Sequence, residues 1–179
     1  MVVYGTKELR TRSQAYDLLA LAAREHWGLA PIPQVARRPD GKPYFPDAEG
    51  REFNLSHSGT LALCVLDSEP VGVDIQTVKA WRPGLPGRVC ASEELVWLER
   101  QPDRWRSFSM LWALKESRAK QNGRGLRVPI RSIRVPLPRE GQSLYELDGL
   151  CFRLYTGTDW IGAVCGLTPP PEQIVWSAY

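Results

Sequence analysis

Apolar residues recur every three to four positions in two long parts of the chain. The segment TRSQAYDLLALAAREHWG carries such a stripe and ends at Gly28, and Thr11 and Gln14 have the spacing of a capping box. A second stripe begins after Asp103 and runs through WRSFSMLWALKESRAKQN to Gly123. The pattern therefore predicts two long helices, with a shorter one in SEELVWLER.

Strand-like stretches fill much of the remaining sequence. FNLSHSG, TLALCVLD and VGVDIQ follow one another, and RVPIRSIRVPL, SLYELDG, CFRLYT and WIGAVCGL follow the second long helix. Positions 31–50 are rich in proline and glycine and predict a loop with a turn at Asp40 and Gly41, and KAWRPGLPG predicts another loop. Helices and strands arranged in two stretches predict an α+β fold. TLALCVLDSEP also resembles WIGAVCGLTPP, as an internal duplication would produce.

Length and composition indicate one compact globular unit. A chain of 179 residues with 43% hydrophobic residues can form one domain or two small fused halves, which we place at 1–76 and 77–179. The net charge of +3 comes from scattered basic residues and falls short of a nucleic-acid footprint. The sequence has no signal-peptide stretch and no apolar run of about eighteen residues, so we expect a cytoplasmic protein without a membrane partner.

The four cysteines lie far apart in the sequence and include no CxxC pair. Three of them lie inside apolar runs. This distribution predicts reduced thiols in the core rather than a zinc site or a disulfide framework.

An aspartate interrupts the otherwise apolar segment VGVDIQ. Strand alternation places Val73 and Ile75 on one face, with Asp74 and Gln76 together on the other. Burying a carboxylate is unfavourable unless it is paired or bound to a cation. Asp74 is therefore either a metal ligand or, as the simpler alternative, a carboxylate satisfied by backbone amides or an arginine.

The second long helix presents a similar anomaly. Steps of three and four residues place Glu116 on the same face as Trp112 and the other aromatic residues, with Lys120 at its edge. Taken alone, Glu116 and Lys120 could be an ordinary exposed ion pair. Together with Asp74, they resemble the oxygen ligands and the counter-charge that hold Mg²⁺ beside a phosphorylated substrate.

Further residues would suit an anion, although each also has an ordinary explanation. Arg12 lies at the start of a helix, where free N–H groups and the helix dipole favour phosphate, but it could also be a solvated helix-start residue. His57 lies among small residues in NLSHSG, where a backbone can approach a ligand, but it could equally be structural. Lys42 lies in DGKP and could be a loop lysine without a special role.

The order of these motifs is informative. GKP, FNLSHSG, VGVDIQ and LWALKESRAKQNGRGL resemble the 4'-phosphopantetheinyl transferases of the surfactin-synthetase-activating type, which carry a GVDIE-like strand and a W-x-x-K-E-x-x-x-K helix. The resemblance extends from about Arg12 to the C-terminal strands. It implies a pseudo-twofold pair of similar α+β halves with the active site at their junction. The residues that match the helix signature are Trp112, Lys115, Glu116 and Lys120.

The resemblance implies an enzyme, a magnesium-dependent holo-[acyl or peptidyl carrier protein] synthase. Such an enzyme moves the phosphopantetheine arm of coenzyme A, its substrate, to a serine of an acyl or peptidyl carrier protein and releases adenosine 3',5'-bisphosphate. The alternatives are a catalytically weak carrier-binding protein and a module that binds anions or nucleic acid. A chain containing both halves needs no partner to complete its site, so we expect a monomer.

The resemblance also implies roles for individual residues. Asp74 and Glu116 would coordinate Mg²⁺, and Gln76 would hold a metal-bound water. Glu116 would accept the proton of the carrier serine, with Glu93 as the second candidate. The residues implied to bind coenzyme A are Arg12 and His57 at the 3'-phosphate, Lys42 and Ser56 along the nucleotide and phosphates, and Lys115 and Lys120 at the diphosphate.

The sequence departs from the family pattern in two places. Gln76 stands where the family often has a third carboxylate, which predicts weaker metal binding. Longer relatives have a basic N-terminal segment near the 3'-phosphate, so here Lys7, Arg10 and Arg12 must suffice or coenzyme A is bound less tightly.

The loop KAWRPGLPGR offers a candidate surface for an acidic carrier protein. Trp81 and Leu85 would supply apolar contacts, and the neighbouring lysine and arginines would supply positive charge. In the alternative interpretation the tryptophan folds back onto the core.

Overall fold

The computed structural model describes residues 1–123 and 128–177. The helices of this part of the chain are α1 Gln14–Trp27, α2 Leu85–Val89, α3 Ser92–Glu99 and α4 Arg104–Gln121, with a short 3-10 helix at Ile130–Ser132. The strands are β1 Val2–Thr6, β2 Ala36–Arg37, β3 Pro43–Tyr44, β4 Glu52–Ser58, β5 Leu61–Asp67, β6 Gly72–Thr77, β7 Leu144–Leu147, β8 Leu150–Thr156, β9 Trp160–Gly166 and β10 Val175–Trp176.

Three strands of each four-stranded sheet share one topology, and the fourth strand lies at opposite edges of the two sheets, β10 beside β1 and β7 beside β8. In the first sheet, with strand order β10-β1-β5-β4, the strand β1 is antiparallel to the second strand of the hairpin β4–β5. In the other, with order β6-β9-β8-β7, the strand β6 is antiparallel to the second strand of the hairpin β8–β9. A helix follows the first strand in each half and packs on its sheet, α1 on β5 and α4 on β6 and β9. The predicted α+β fold of two similar halves is confirmed.

The two sequence segments that resemble each other occupy equivalent strands. TLALCVLD forms β5, and WIGAVCGL forms β9. Cys64 of β5 pairs with Tyr4, and Cys165 of β9 pairs with Gly72. Strand β6 is hydrogen-bonded to β9 and therefore belongs to the second sheet. A division of the chain into halves by sheet would fall before Gly72, and the predicted boundary after residue 76 stays a prediction.

The junction of the two halves is built from side chains. Strand β4 lies beside β6, yet the two strands belong to different sheets, so the facing edge of β6 has no backbone ladder. Alternate side chains of β4 take the place of that ladder and accept hydrogen bonds from alternate amides of β6. The donor and acceptor pairs are Val73 N to Asn54 Oδ1 at 3.1 Å, Ile75 N to Ser56 Oγ at 3.3 Å and Thr77 N to Ser58 Oγ at 3.1 Å.

Helix α4 packs very closely on β6 at Gly72. A methyl group on this glycine would overlap the carbonyl oxygen of Ser117 and the amide nitrogen of Gln121. Only glycine therefore allows this approach, which sets the helix position relative to Asp74. On the opposite face of β6, Val71, Val73 and Ile75 are buried in the core, so the predicted alternation is confirmed.

The structure corrects several predicted elements. RVPIRSIRVPL is not a strand: its first residue lies outside the described residues, and the rest contains the 3-10 helix and irregular backbone broken by its prolines. The segment KAWRPGLPG, which was predicted to be a loop, contains the start of α2. The N-terminal strand β1 was not predicted. Helix α1 begins at Gln14, whose Oε1 accepts the amide of Thr11 at 3.0 Å, as in one half of the predicted capping box.

The cysteine prediction is confirmed, because Cys64, Cys90, Cys151 and Cys165 are free and buried. Burial raises the pKa of the Cys90 and Cys165 thiols to about 12, so both stay protonated at neutral pH. Within residues 1–123 and 128–177, no helix has the length and apolar character needed to cross a membrane.

Candidate active site

Asp74 lies at the junction of the two halves and is the centre of a polar cluster. Its side chain is almost fully buried, with 3% exposed. Oδ1 accepts hydrogen bonds from Lys120 Nζ at 2.7 Å and from Ser56 Oγ at 2.8 Å, and Oδ2 accepts one from Gln76 Nε2 at 2.6 Å. The carboxylate is thus satisfied by a lysine and two polar side chains rather than by an arginine.

Glu116 approaches this cluster from α4. Burial raises the pKa of its carboxyl group, repulsion by Asp74 raises it further, and attraction by Lys120 opposes both. Within the part of the chain that the structure describes, no group donates a hydrogen bond to the Glu116 carboxylate. Two acids from different elements therefore meet here, and of the two only Asp74 accepts hydrogen bonds from the described residues.

The charges of this cluster suit a cation. Asp74 and Glu116 together carry two negative charges against the single ammonium group of Lys120. The Nε2 atom of Gln76 donates to Asp74, so the side-chain carbonyl oxygen of Gln76 is available to a cation or a water. Among the described residues, no three acidic, histidine or cysteine side chains group around one point, so a divalent ion would need Gln76, water or substrate oxygens as further ligands.

Lys120 links both halves of the molecule. Besides Asp74, its ammonium group donates to Ser56 Oγ at 3.0 Å and to the Val73 carbonyl at 3.1 Å. The side chain is 28% exposed, so solvent or a ligand can reach it. Lys120 and Ser56 are thus placed where a phosphate oxygen could take over one of these bonds.

Arg12 and His57 lie beside the cluster. Both side chains are exposed. Partial burial lowers the pKa of His57, and the charges of Arg12 and Lys120 lower it further. Arg12 and Lys120 therefore disfavour the protonated form of His57, and a bound anion would favour that form.

The ammonium group of Lys42 does not face the nucleotide and phosphates, as the resemblance implied, but is turned into the protein. Its ammonium group is buried and donates to the carbonyl oxygens of Val71 at 3.1 Å and Gln121 at 3.2 Å, with Glu52 at 3.5 Å. Burial lowers the pKa of Lys42, and Glu52 partly offsets this effect. The amine therefore ties β6 to the end of α4, and only the rest of the side chain lines the adjoining cavity.

The structure does not bring Lys115 or Glu93 into the cluster. Lys115 is fully buried on another side of α4, where it forms an ion pair with Glu94 at 2.9 Å and donates to the Ile133 carbonyl at 2.6 Å. Because its ammonium group is buried in these contacts, Lys115 cannot contact a diphosphate bound at the cluster. Glu93 is exposed in the first turn of α3, so the buried acid of that helix is Glu94.

The loop between β6 and α2 also corrects one expectation. Trp81 is not exposed, because its ring stacks on Trp112 with centroids 5.5 Å apart and meets the edge of Phe108. Leu85 packs against the same core. The alternative interpretation, in which the tryptophan folds back onto the core, is therefore correct. Arg82 and Arg88 of the same segment are exposed.

Sequence reasoning missed Asn54 and Ser58, the two outer members of the side-chain ladder on β6. A signal was present, since NLSHS places polar residues at alternate positions of a strand. Glu94 was missed because its partner, Lys115, lies 21 residues further along the chain.

The fold and the site together define a class: a duplicated α+β protein whose halves meet at two carboxylates and a lysine, next to exposed basic residues. The family model of the 4'-phosphopantetheinyl transferase superfamily matches residues 70–165, which is more than half of the chain. This protein belongs to that superfamily, and the predicted family is confirmed.

Named relatives agree with this assignment. The chain is 35% identical to the 4'-phosphopantetheinyl transferase Sfp of Bacillus subtilis (strain 168), over 78% of this chain and 66% of that one. A second Bacillus subtilis 4'-phosphopantetheinyl transferase is 36% identical over 85% of this chain and 71% of its own length. The chain thus spans about two thirds of the length of these relatives. A crystal structure of Thermotoga maritima holo-[acyl-carrier-protein] synthase covers 56% of this chain and 63% of its own, with a TM-score of 0.44 and 17% identity.

Proposed function

We propose that this protein transfers the 4'-phosphopantetheine arm of coenzyme A to a serine of an acyl or peptidyl carrier protein. The observation that carries the proposal is the meeting of Asp74, Glu116 and Lys120 at the junction of the two halves. Membership of the superfamily and the names of the relatives support the same reaction. A carrier-binding protein without catalysis, or a module that binds anions or nucleic acid, would not require this arrangement of charges.

Mg²⁺ is the cofactor that this donor set fits. Asp74 and Glu116 would hold it, with Gln76 directly or through a water. When bound, the ion would stabilise negative charge on the diphosphate as the bond between its two phosphates breaks.

The reaction can be followed through the protein's own residues. The oxygen of the carrier serine forms a bond to the phosphorus that bears the pantetheine arm, and the bond from that phosphorus to the leaving nucleotide phosphate breaks. Glu116 accepts the serine proton, directly or through a water. Lys120 exchanges a bond to Asp74 or Ser56 for one to a phosphate oxygen and supplies positive charge there.

Coenzyme A would lie along the junction. We place its 3'-phosphate at Arg12 and His57, both exposed beside the cluster, where the phosphate would favour the protonated form of His57. Ser56, which bonds both Asp74 and Lys120, lies where it can contact the diphosphate. Both halves of the site belong to one chain, which fits a monomer, and four free buried thiols fit a reducing cytoplasm.

The test of this function is a transfer assay read by mass spectrometry. Unmodified acyl and peptidyl carrier proteins are incubated with coenzyme A, Mg²⁺ and the protein, and a parallel reaction contains a chelator. We expect the phosphopantetheine adduct on the carrier serine and an equal amount of adenosine 3',5'-bisphosphate, both dependent on Mg²⁺. No adduct on any of a broad panel of carriers, together with tight binding of RNA, would favour the binding module instead.

The carrier would dock beside the site on the exposed arginines of the β6–α2 loop and α2. An acidic carrier is attracted by Arg82 and Arg88, whereas Trp81 is held in the core. We expect Arg82→Glu combined with Arg88→Glu to raise the KM for carrier about tenfold or more at low salt, with the KM for coenzyme A unchanged. Arg24→Glu combined with Arg139→Glu, both at exposed positions, serves as the charge-matched control, and equal changes in both KM values would exclude a docking role.

A further inference from the structure

Two sheet edges meet at the junction of the halves, and side chains rather than backbone groups join them. Strand β4 is the outermost strand of the first sheet, and β6 is the outermost strand of the second. The side-chain ladder between them consists of alternate β4 side chains that accept hydrogen bonds from alternate β6 amides, with the pairs Asn54 and Val73, Ser56 and Ile75, and Ser58 and Thr77. These bonds link the position of one half to that of the other.

The polar side chains of the ladder lie in surroundings that otherwise favour apolar residues. Asn54 and Ser56 are buried, and the residues opposite them on β5, Val65 and Leu63, belong to the apolar core. An apolar side chain in place of either acceptor would leave a buried amide of β6 unsatisfied, which is unfavourable. The open edge of β6 thus explains why this face of β4 carries an asparagine and serines.

The middle bond of the ladder belongs to the reaction site. Ser56 Oγ donates to Asp74 at 2.8 Å, and it accepts from Lys120 at 3.0 Å and from the Ile75 amide at 3.3 Å. One hydroxyl is thus shared among three groups, and its bond to the amide is the longest in the ladder. In the proposed reaction a phosphate oxygen takes over a bond of Lys120 or Ser56, so substrate binding perturbs the ladder at its middle.

The outer bonds of the ladder lie on either side of the cluster. Asn54 Oδ1 accepts from the Val73 amide at 3.1 Å. Ser58 Oγ accepts from the Thr77 amide at 3.1 Å and also lies 2.9 Å from the Thr77 hydroxyl. Each outer residue is two positions from Ser56, or roughly 7 Å along β4. The outer bonds can therefore keep β4 in place on β6 while Ser56 changes partners.

Two lysines satisfy carbonyl groups at the same edge of β6. Lys42 donates to the Val71 carbonyl at 3.1 Å, and Lys120 donates to the Val73 carbonyl at 3.1 Å. Val73 directly precedes Asp74 and is held by Lys120 at its carbonyl and by Asn54 at its amide. When Lys120 turns to a phosphate oxygen, the bond from Asn54 still holds the backbone next to Asp74.

We propose that Asn54 and Ser58 are positioning residues of the transfer reaction. They hold β4 at a fixed register on β6, so that Ser56 stays beside Asp74 while the substrate takes over part of the hydrogen bonding. This role rests on the proposed function, because it requires phosphate oxygens to reach Ser56 or Lys120. Asn54 and Ser58 act on the rate through the alignment of Ser56 and Asp74, to which a group transfer is sensitive.

Amide hydrogen exchange of the ligand-free protein tests whether the bonds of the ladder act together. Ser58→Ala removes the acceptor of the Thr77 amide and leaves Ser56, the acceptor of the Ile75 amide, unchanged. We expect the Ile75 amide to exchange at least about tenfold faster in Ser58→Ala and in Asn54→Ala, and at the wild-type rate in Ser58→Thr, which keeps the hydroxyl. The amides of β1 should keep their wild-type rates, whereas a general loss of stability would speed their exchange as well.

Transfer kinetics test the effect on the reaction. We expect Ser58→Ala and Asn54→Ala to lower kcat about tenfold or more, because the reacting groups are less well aligned. The KM for coenzyme A should change less than about threefold, whereas loss of a substrate contact would raise it. Ser58→Thr should transfer at close to the wild-type rate. Ser109→Ala is the matched control, because it removes a hydrogen-bonded serine hydroxyl of α4 outside the ladder, and its kcat should equal that of the wild type.

The two measurements together separate the possible outcomes. Faster exchange at Ile75 with a lower kcat would support the positioning role. Wild-type exchange at Ile75 in both alanine variants, equal acceleration of the β1 amides, an unchanged kcat, or a KM for coenzyme A that rises as much as kcat falls would each overturn it and leave the proposed function intact. A wild-type protein that transfers phosphopantetheine to no carrier would overturn the proposed function, and the positioning role with it, whatever the exchange rates.

Discussion

At the scale of single residues, the site combines groups that would be unfavourable alone. Asp74 is buried and satisfied by Lys120, Ser56 and Gln76. Glu116 faces Asp74 without a donor from the described residues, and its pKa is raised. The excess negative charge of the two acids over Lys120 is thus available for a cation.

Gln76 provides the most specific residue-scale prediction. Gln76→Glu replaces a donor 2.6 Å from Asp74 with a third carboxylate. Without a divalent ion, we expect the resulting repulsion to cost about 1 kcal/mol and lower the Tm by roughly 2–4 °C. With Mg²⁺ the Tm should recover, and the Mg²⁺ concentration for half-maximal transfer should fall. The exposed Gln173→Glu is the matched control, and an unchanged metal requirement would place Gln76 away from the ion.

The raised pKa of Glu116 predicts a dependence of the rate on pH. The carboxylate must lose its proton before it can bind a cation or accept the serine proton, so the transfer rate should fall as pH drops through this raised pKa. Because protons and Mg²⁺ compete for the same oxygens, each tenfold increase of saturating Mg²⁺ should move the acid limb about one pH unit lower. The profile is measured at constant ionic strength. An acid limb that stays in place at all Mg²⁺ concentrations would contradict a shared site.

At the scale of elements, the position of α4 on β6 decides which side chains meet. The helix can approach Asp74 because Gly72 has no side chain, and Lys42 fastens the helix end to the start of β6. Sequence periodicity predicted the helix, the strand and their inward acids, since each depends on local spacing. It could not predict that Lys42 and Lys115 turn into the protein, because their partners are backbone carbonyls and acids far along the chain.

Gly72→Ala tests this element packing. The added methyl group would overlap the backbone of α4, so we expect a loss of more than about 2 kcal/mol in urea denaturation and a lower transfer rate. Gly87→Ala in α2 is the matched control, because no atom lies near the added group there, and it should change stability by less than about 1 kcal/mol. If both variants were equally stable, the close approach would not limit the fold.

At the scale of the whole molecule, duplication creates the site. Two sheets that share a three-stranded arrangement meet at β4 and β6, and side chains of β4 replace the missing backbone ladder. The sequence indicated the duplication through the resemblance of β5 to β9, but not the ladder, since that pairing depends on how the halves are joined. The prediction of a strand in RVPIRSIRVPL was wrong, because it relied on the alternation of apolar residues and gave no weight to the prolines, which interrupt a strand.

The initial rate of phosphopantetheine transfer by Glu116→Gln tests the central claim most directly. The comparison is with Glu140→Gln, which makes the same chemical change at an exposed turn residue. We expect Glu116→Gln to transfer at least about 100-fold more slowly at saturating coenzyme A and carrier, with Glu140→Gln at the wild-type rate. Equal rates for the two variants would contradict a reaction centre at the junction of the halves.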